Sequence, residues 1–336
     1  QITDWREAAN FAALWLPLNE AAGAMHFADH SGNVPPRDAT CAGGSCPTAQ
    51  APGYFDYALG FDGGDALTLP TADRLGLTDG SFSVSAWIKG SDFPSSGGAA
   101  NDRAILGTDG NTTTALQLVV RDRRATLSFG DQTLSADVTL DEEVWHHVVF
   151  RYDAYRGEQT IYVNGELRGA QTGVAPYSGA GTVYLGRVRG GYGFQGTIDD
   201  VRAFSRALTL DEIRALYNRP VMRLQFEESN LPATRTAIDA SGFGNAAHCD
   251  FTGCPGPASG VYGQHAAHFT GDNYFDVAGA PSLNLDEGHF TIAAWVWPDA
   301  LSSDADVPQG MLGRYLGASD TGVEGPGDDL DRVEYS

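Results

Sequence analysis

One alternating stretch occurs twice in this chain, and the interval between its copies constrains the rest. Residues 82–87 read Phe-Ser-Val-Ser-Ala-Trp and residues 290–295 read Phe-Thr-Ile-Ala-Ala-Trp, 208 positions apart. In the first copy Phe82, Val84 and Ala86 alternate with Ser83, Ser85 and Trp87, the period of two that a half-buried strand imposes. Other segments recur at or near the same interval. Leu14-Trp15-Leu16-Pro17-Leu18-Asn19-Glu20 matches Met222-Arg223-Leu224-Gln225-Phe226-Glu227-Glu228, both strand-like and both ending in acid. Asp29-His30-Ser31-Gly32-Asn33 matches Asp239-Ala240-Ser241-Gly242-Phe243-Gly244-Asn245, and Asp, Gly and Asn so placed suit a tight turn. Cys41 and Cys46 fall 208 positions before Cys249 and Cys254.

Between and beyond these landmarks the first repeat reads as about a dozen short strands at regular spacing. Tyr162-Val163-Asn164-Gly165-Glu166 carries the Asn-Gly signal of a hairpin. A single short helix is expected over 209–217, where Thr209 and Glu212 form a capping box and Ile213, Leu216 and Tyr217 share a face. Residues 1–10 also read as helical, with Thr3 or Asp4 as the cap. Many strands and one helix make a β-sandwich, not an α/β fold. The expected organisation is an N-terminal helical segment (1–10), a first sandwich (11–218) and a second (219–336). The first repeat runs on from Gly107 to Asn218, whereas only a short tail separates Gly313 from Ser336. The second sandwich is therefore expected to be incomplete at its C-terminus, either because the sequence is cut or because a partner supplies the missing strands.

Composition narrows the function. A net charge of −22 excludes a nucleic-acid partner, which needs a basic surface, and disfavours an anionic membrane. No apolar run reaches the roughly 18 residues of a spanning helix, so membrane insertion is not expected. Of the 43 acids, 31 are Asp, the turn-forming and calcium-ligating acid. Each local cysteine pair is bridged by a short loop, which allows disulfides Cys41–Cys46 and Cys249–Cys254 and an oxidising compartment. A zinc site would need further ligands, and only His248 is near.

Three later segments add a resemblance. Trp145-His146-His147-Val148-Val149, Ile161-Tyr162-Val163-Asn164-Gly165-Glu166-Leu167 and Gly196-Thr197-Ile198-Asp199-Asp200-Val201-Arg202-Ala203-Phe204 resemble the laminin-G-like domains of the concanavalin A-like lectin/glucanase superfamily. The 82–87 strand and the Asp29 turn fit the same pattern. The resemblance covers 11–218 fully and 220–336 as an N-terminal half. It implies an all-β fold of two tandem concanavalin A-like jelly-roll sandwiches. It also implies a non-catalytic module of a secreted or cell-surface protein that binds glycans or surface proteins, or else builds a filament, sheath or stalk as a homo-polymer. Glucanases of this fold carry carboxylates alternating on one strand, and no such run exists here. Glu142-Glu143 and Glu227-Glu228 are adjacent and point to opposite faces if extended.

Structural calcium is the expected cofactor. In the first repeat Asp29 and Asn33 lie in a turn whose oxygens can converge, and the resemblance implies that Asp199 lies close to it; Asp62 and Asp65 are secondary candidates. Asp239, Asn245 and Asp272 are the corresponding start in the second repeat. Sugar stacking is expected, if anywhere, at the Gly-flanked aromatics Tyr155, Tyr192 and Phe194. Trp87 is out of step with its strand's core parity and is expected on the other sheet face beneath a covering segment. Of His146 and His147, one is expected packed and one exposed.

Overall fold

A computed structural model describes residues 12–109, 115–188, 192–218, 220–241, 244–250, 253–261, 263–271, 273–279, 283 and 291–298. The segment 1–10, Asp272 and 299–336 lie outside the described residues. Seventeen strands come first: β1 (Leu14–Leu16), β2 (His26–Phe27), β3 (Ala39–Thr40), β4 (Thr48–Pro52), β5 (Tyr57–Asp62), β6 (Leu67–Thr71), β7 (Phe82–Gly90), β8 (Arg103–Thr108), β9 (Gln117–Arg121), β10 (Arg124–Phe129), β11 (Gln132–Ser135), β12 (His146–Asp153), β13 (Glu158–Val163), β14 (Glu166–Thr172), β15 (Thr182–Leu185), β16 (Tyr192–Gly193) and β17 (Gln195–Phe204). Helix α1 (Leu210–Tyr217) follows, then α2 (Leu231–Thr234) and five short strands, β18 (Thr236–Ala237), β19 (Ala247–His248), β20 (Gly256–Ser259), β21 (His265–His268) and β22 (Asp276–Val277).

The first seventeen strands form two sheets. One runs β14-β13-β12-β7-β17-β5-β4 with β1 added beside β17; the other runs β11-β10-β9-β8-β15-β6-β3-β2 with β16 added beside β8. Pairing is antiparallel except for β16 with β8. The apolar faces of both sheets meet in one core, in which Val84, Val148 and Ile161 of the first sheet join Leu106, Leu118 and Leu127 of the second. Two-residue turns close the hairpins. Asn164 and Gly165 both take positive φ (51° and 76°), as a type I′ turn requires. Asp122 and Arg123 do the same without a glycine (47° and 61°), which the sequence did not signal.

Strand β7 is the centre of the first sheet, between β12 and β17. It is buried on both faces, because its second face is roofed by α1 and by the loop 53–56. The α1 capping box forms as the sequence predicts, with Glu212 bonding back to Thr209. Ile213 and Leu216 then pack on Val149, Tyr162 and Phe204.

Residues from Val221 onward form a three-stranded sheet, β18-β19-β22, and a β20–β21 hairpin around a small core of Leu231, Ala237 and Ala247. Contacts divide the chain into Gln1–Gly288 and His289–Ser336. In the latter, Phe290 is outside the described residues, and 291–298 form no strand, with Ile292 and Trp297 exposed. The expected twin of β7 is thus not seen: β7 owes its burial to two flanking strands, and no described strand flanks the second stretch.

Candidate functional site

The Asp29 turn is built by one carboxylate. Asp29 Oδ1 accepts from the Trp15 and Ser31 amides (3.0 and 2.9 Å), and Oδ2 from the Ser31 hydroxyl and the Arg37 amide (2.8 and 3.0 Å). Asn33 Nδ2 donates to the Ala12 and Ala13 carbonyls (both 3.1 Å), and the Arg37 guanidinium donates to Ala13 O as well. Gly32 takes φ 81°, the left-handed conformation that lets the turn close.

The same latch recurs in the second repeat. Asp239 accepts from the Arg223 and Ser241 amides through Oδ1, and from the Ser241 hydroxyl and the Asn245 amide through Oδ2. Asn245 Nδ2 donates to Val221 O (2.8 Å), taking the part of Asn33. Glu20 and Glu228 also correspond, accepting from the Ala28 and Ile238 amides. So do Asp65 and Asn273, which accept from the Asp62 and Thr270 amides.

These bonds bear on the calcium expectation at the turns. A carboxylate offers about four lone-pair sites, and in both Asp29 and Asp239 four donors fill them. Calcium wants six to eight oxygens, and here the oxygens are already spent on N–H and O–H groups. Asp62 bonds Gly64 within its own turn (2.7 Å), and burial together with the Asp62 charge pushes the Asp65 carboxyl up. The neutral Asn273 builds the matching turn, so the scaffold role of Asp65 requires no charge. Among the described residues no three His, Cys, Asp or Glu side chains gather as a metal cluster. The expected calcium set does not fit this arrangement.

Asp199, expected near Asp29, is committed elsewhere. It is fully buried and accepts from the Phe55 amide (2.8 Å), holding the loop 53–56 against the sheet. Burial pushes its carboxyl well above the usual range, outweighing the Phe55 bond that favours the charged form. In register, Asp199 of β17 and His147 of β12 both oppose Trp87 of β7, so the three form a row across the roofed face. Trp87 is 2% exposed and stacks on Tyr54, with ring centroids 3.4 Å apart. His147 packs between Trp87 and Tyr217, and burial pushes it down to about 3. Among the described residues Asp199 Oδ1, Trp87 Nε1 and His147 Nδ1 have no hydrogen-bond partner. Next to the row, buried Arg202 pairs with Asp200 at 3.0 Å, and its guanidinium lies over the Trp15 ring at 4.5 Å. His146 is buried too, bonded to Asp141, so both histidines are packed and neither is exposed. Burial again lowers its affinity for a proton.

Of the aromatics singled out for sugar stacking, Tyr155 is almost fully exposed at the β12–β13 tip. Phe194 is not available: it is buried in the core against Phe61 and Phe93. Tyr192 begins β16, and its side chain is outside the described set. The adjacent glutamates are occupied: Glu142 accepts from the Phe93 amide, Glu143 pairs with Lys89, and Glu227 accepts from the Gln264 amide. Both cysteine pairs are disulfides.

The surface feature the sequence did not foretell is a cleft beside the Asp29 turn. Two adjoining hollows of about 390 and 410 Å³ share Asn33, Arg37, Asp73 and Arg74 as walls. The 73–76 turn follows β6 and is anchored by buried Ala72, Leu75 and Leu77, which leaves Asp73 and Arg74 exposed. Gly76 takes φ 67°, and a Cβ there would lie 2.5 Å from Ser205 Cβ. The close approach of this turn to the end of β17 therefore depends on glycine. The Thr71 hydroxyl holds the Asp73 carboxyl below its usual range.

Comparison with known proteins fits this architecture. Residues 61–214 match the laminin-G-type family of the concanavalin A-like lectin/glucanases superfamily. No curated protein matches the chain in sequence. Among solved structures, domain 4 of AbnA, a GH43 extracellular arabinanase from Geobacillus stearothermophilus in complex with arabinotriose, superposes with a TM-score of 0.50 at 21% identity, covering 62% of this chain and 98% of that domain. The binding domain of botulinum neurotoxin DC in complex with SialylT gives 0.47 at 16% identity, over 62% of this chain and 51% of that one. Trypanosoma rangeli sialidase gives 0.44 at 17%, over 61% and 32%. The arabinanase domain shares the fold. No described helix is long and apolar enough to cross a membrane.

Proposed function

We propose that this chain is a non-catalytic glycan-recognition module of an extracellular or cell-surface protein, built from tandem laminin-G-like sandwiches over 11–218 and 219–336. One observation carries the reading: 62% of this chain matches 98% of a domain of an extracellular arabinanase that was seen with arabinotriose. The open cleft of hydrogen-bonding side chains and the two disulfides support it. The recurrence of the Asp29, Glu20 and Asp65 latches at Asp239, Glu228 and Asn273 supports the tandem arrangement.

That recurrence also favours a second reading, a homo-polymeric building unit of an extracellular filament, sheath or stalk in which strands of a neighbouring protomer complete the second repeat. A glycan array and negative-stain electron microscopy separate the two. Saccharide hits from monomeric protein support recognition. A blank array with ordered polymers reverses the order of the readings.

A further inference from the structure

We propose that the cleft between the 31–37 and 73–76 turns is the sugar site, and that the sugar it takes carries an anionic group, a carboxylate or a sulfate. This rests on the glycan-recognition reading and gives it a place and a ligand class.

Three observations converge on it. The first is charge pairing. The chain holds 43 acids against 21 bases. Most of its described cations are accordingly spent on carboxylates: Arg103, Arg121, Arg151, Arg202 and Arg206 pair with Asp92, Asp102, Asp153, Asp200 and Glu212. Arg37 and Arg74 make no ion pair within 4 Å among the described residues, although the Arg74 charge helps to lower the Asp73 carboxyl, and both line the same cleft as Asp73. The Arg37 guanidinium donates to a backbone carbonyl, Ala13 O, while its amide bonds Asp29, and it forms no ion pair among the described residues.

The second is the chain's internal comparison. Groups needed by the fold recur in both repeats: Asp29 with Asp239, Glu20 with Glu228, and Leu75 and Leu77 with Leu283 and Leu285. The cleft charges do not. Asp73 and Arg74 stand where the second repeat has Pro281 and Ser282, and no arginine lies between Asp239 and Cys249. The second repeat builds the Asp29-type latch without them, so that latch does not require Arg37 or Arg74.

The third is chemistry. A guanidinium presents a planar fork that matches carboxylate and sulfate oxygens, and it is the side chain suited to such recognition. Asp73 and Ser205 supply acceptors and a donor for neighbouring hydroxyls. With a net charge of −22 the surface as a whole repels anions, so an anionic sugar held here is held by these contacts and not by a general field.

The test is an array of uronate-, sialate- and sulfate-bearing oligosaccharides, each beside its neutral counterpart, probed with the full chain and with Arg74→Ala. Arg74 is exposed and its side chain makes no hydrogen bond among the described residues, so the variant is expected to keep the wild-type melting temperature. Titration of the best hit then gives the affinity. The expected result is hits on the charged members, weakened about tenfold by Arg74→Ala and recovered in part by Arg74→Lys. The uronate and sulfate arms tell the two anions apart. Equal binding of the neutral counterparts, or charged hits that survive both Arg74→Ala and Arg37→Ala, overturns this inference and leaves glycan recognition standing. An array blank throughout overturns both.

Discussion

Asp199 and His147 sit two strands apart on one buried row, and their protonation pulls stability in opposite directions. The Asp199 carboxyl is raised by burial. Its contribution is therefore full below the unfolded value, about 4, and is lost as pH climbs toward the folded value. Asp199→Asn keeps the shape without the proton. In urea titrations across pH, the wild type is expected to lose stability relative to this variant above pH 4, by at most about 1.4 kcal/mol per unit; parallel profiles would show that the carboxyl is ionised in the fold. His147 is lowered from 6.5 to about 3 by burial, with Asp200 and Arg202 opposing each other as minor influences. Its contribution is full above 6.5 and is lost as pH falls toward 3. His147→Phe, which keeps a ring between Trp87 and Tyr217, is expected to flatten that acid limb. An acid limb unchanged in the variant would place the sensitivity in other groups.

At the scale of elements, the roof over β7 is held by the loop 53–56 as much as by α1. A Cβ on Gly53 would meet the Tyr57 carbonyl at 2.7 Å and Asp199 Oδ2 at 2.9 Å. Gly53→Ala is expected to lift the loop, uncover Trp87 and red-shift its fluorescence, at a cost of about 1–3 kcal/mol; unchanged emission would mean that the roof is held without the Asp199 bond. This roof also marks where sequence reading stopped. The alternation of Phe82, Val84 and Ala86 gave the inner face of β7 correctly, and the Thr209 and Glu212 pair gave the helix. Trp87 is covered, as its parity predicts, but the residues that cover it, Tyr54 and Tyr217, are remote in the chain and could not be named from the sequence, and Ser83 and Ser85, buried on the same face, read as polar. Phe194 read as a loop-tip aromatic because glycines precede it, whereas it packs in the core against Phe61 and Phe93, which come from remote segments. The cleft was invisible for the same reason: Arg37, Arg74 and Ser205 come from three segments with no shared pattern. The calcium expectation counted acids in turns, and what it could not see was that backbone amides had already claimed their oxygens.

For the whole molecule, that last point becomes a bulk measurement. With the lone pairs of Asp29 and Asp239 engaged, a chelator is expected to leave the melting temperature within about 1 °C; a drop of several degrees would reveal a cation held elsewhere. The position of β7 has a different consequence, in time. Its neighbour β12 begins at His146 and its other neighbour β17 ends at Phe204, and β1 pairs only with β17, Leu14 opposite Ala203. Translation at about 5–20 residues per second therefore leaves the apolar β7 without its second flank for roughly 5–20 s after it emerges. The local latch of Asp29 on Trp15 spans only 14 residues and can close at once. The nascent chain thus has an early-folding edge and a late-folding centre, and it is the centre that a chaperone must shield until its flank arrives.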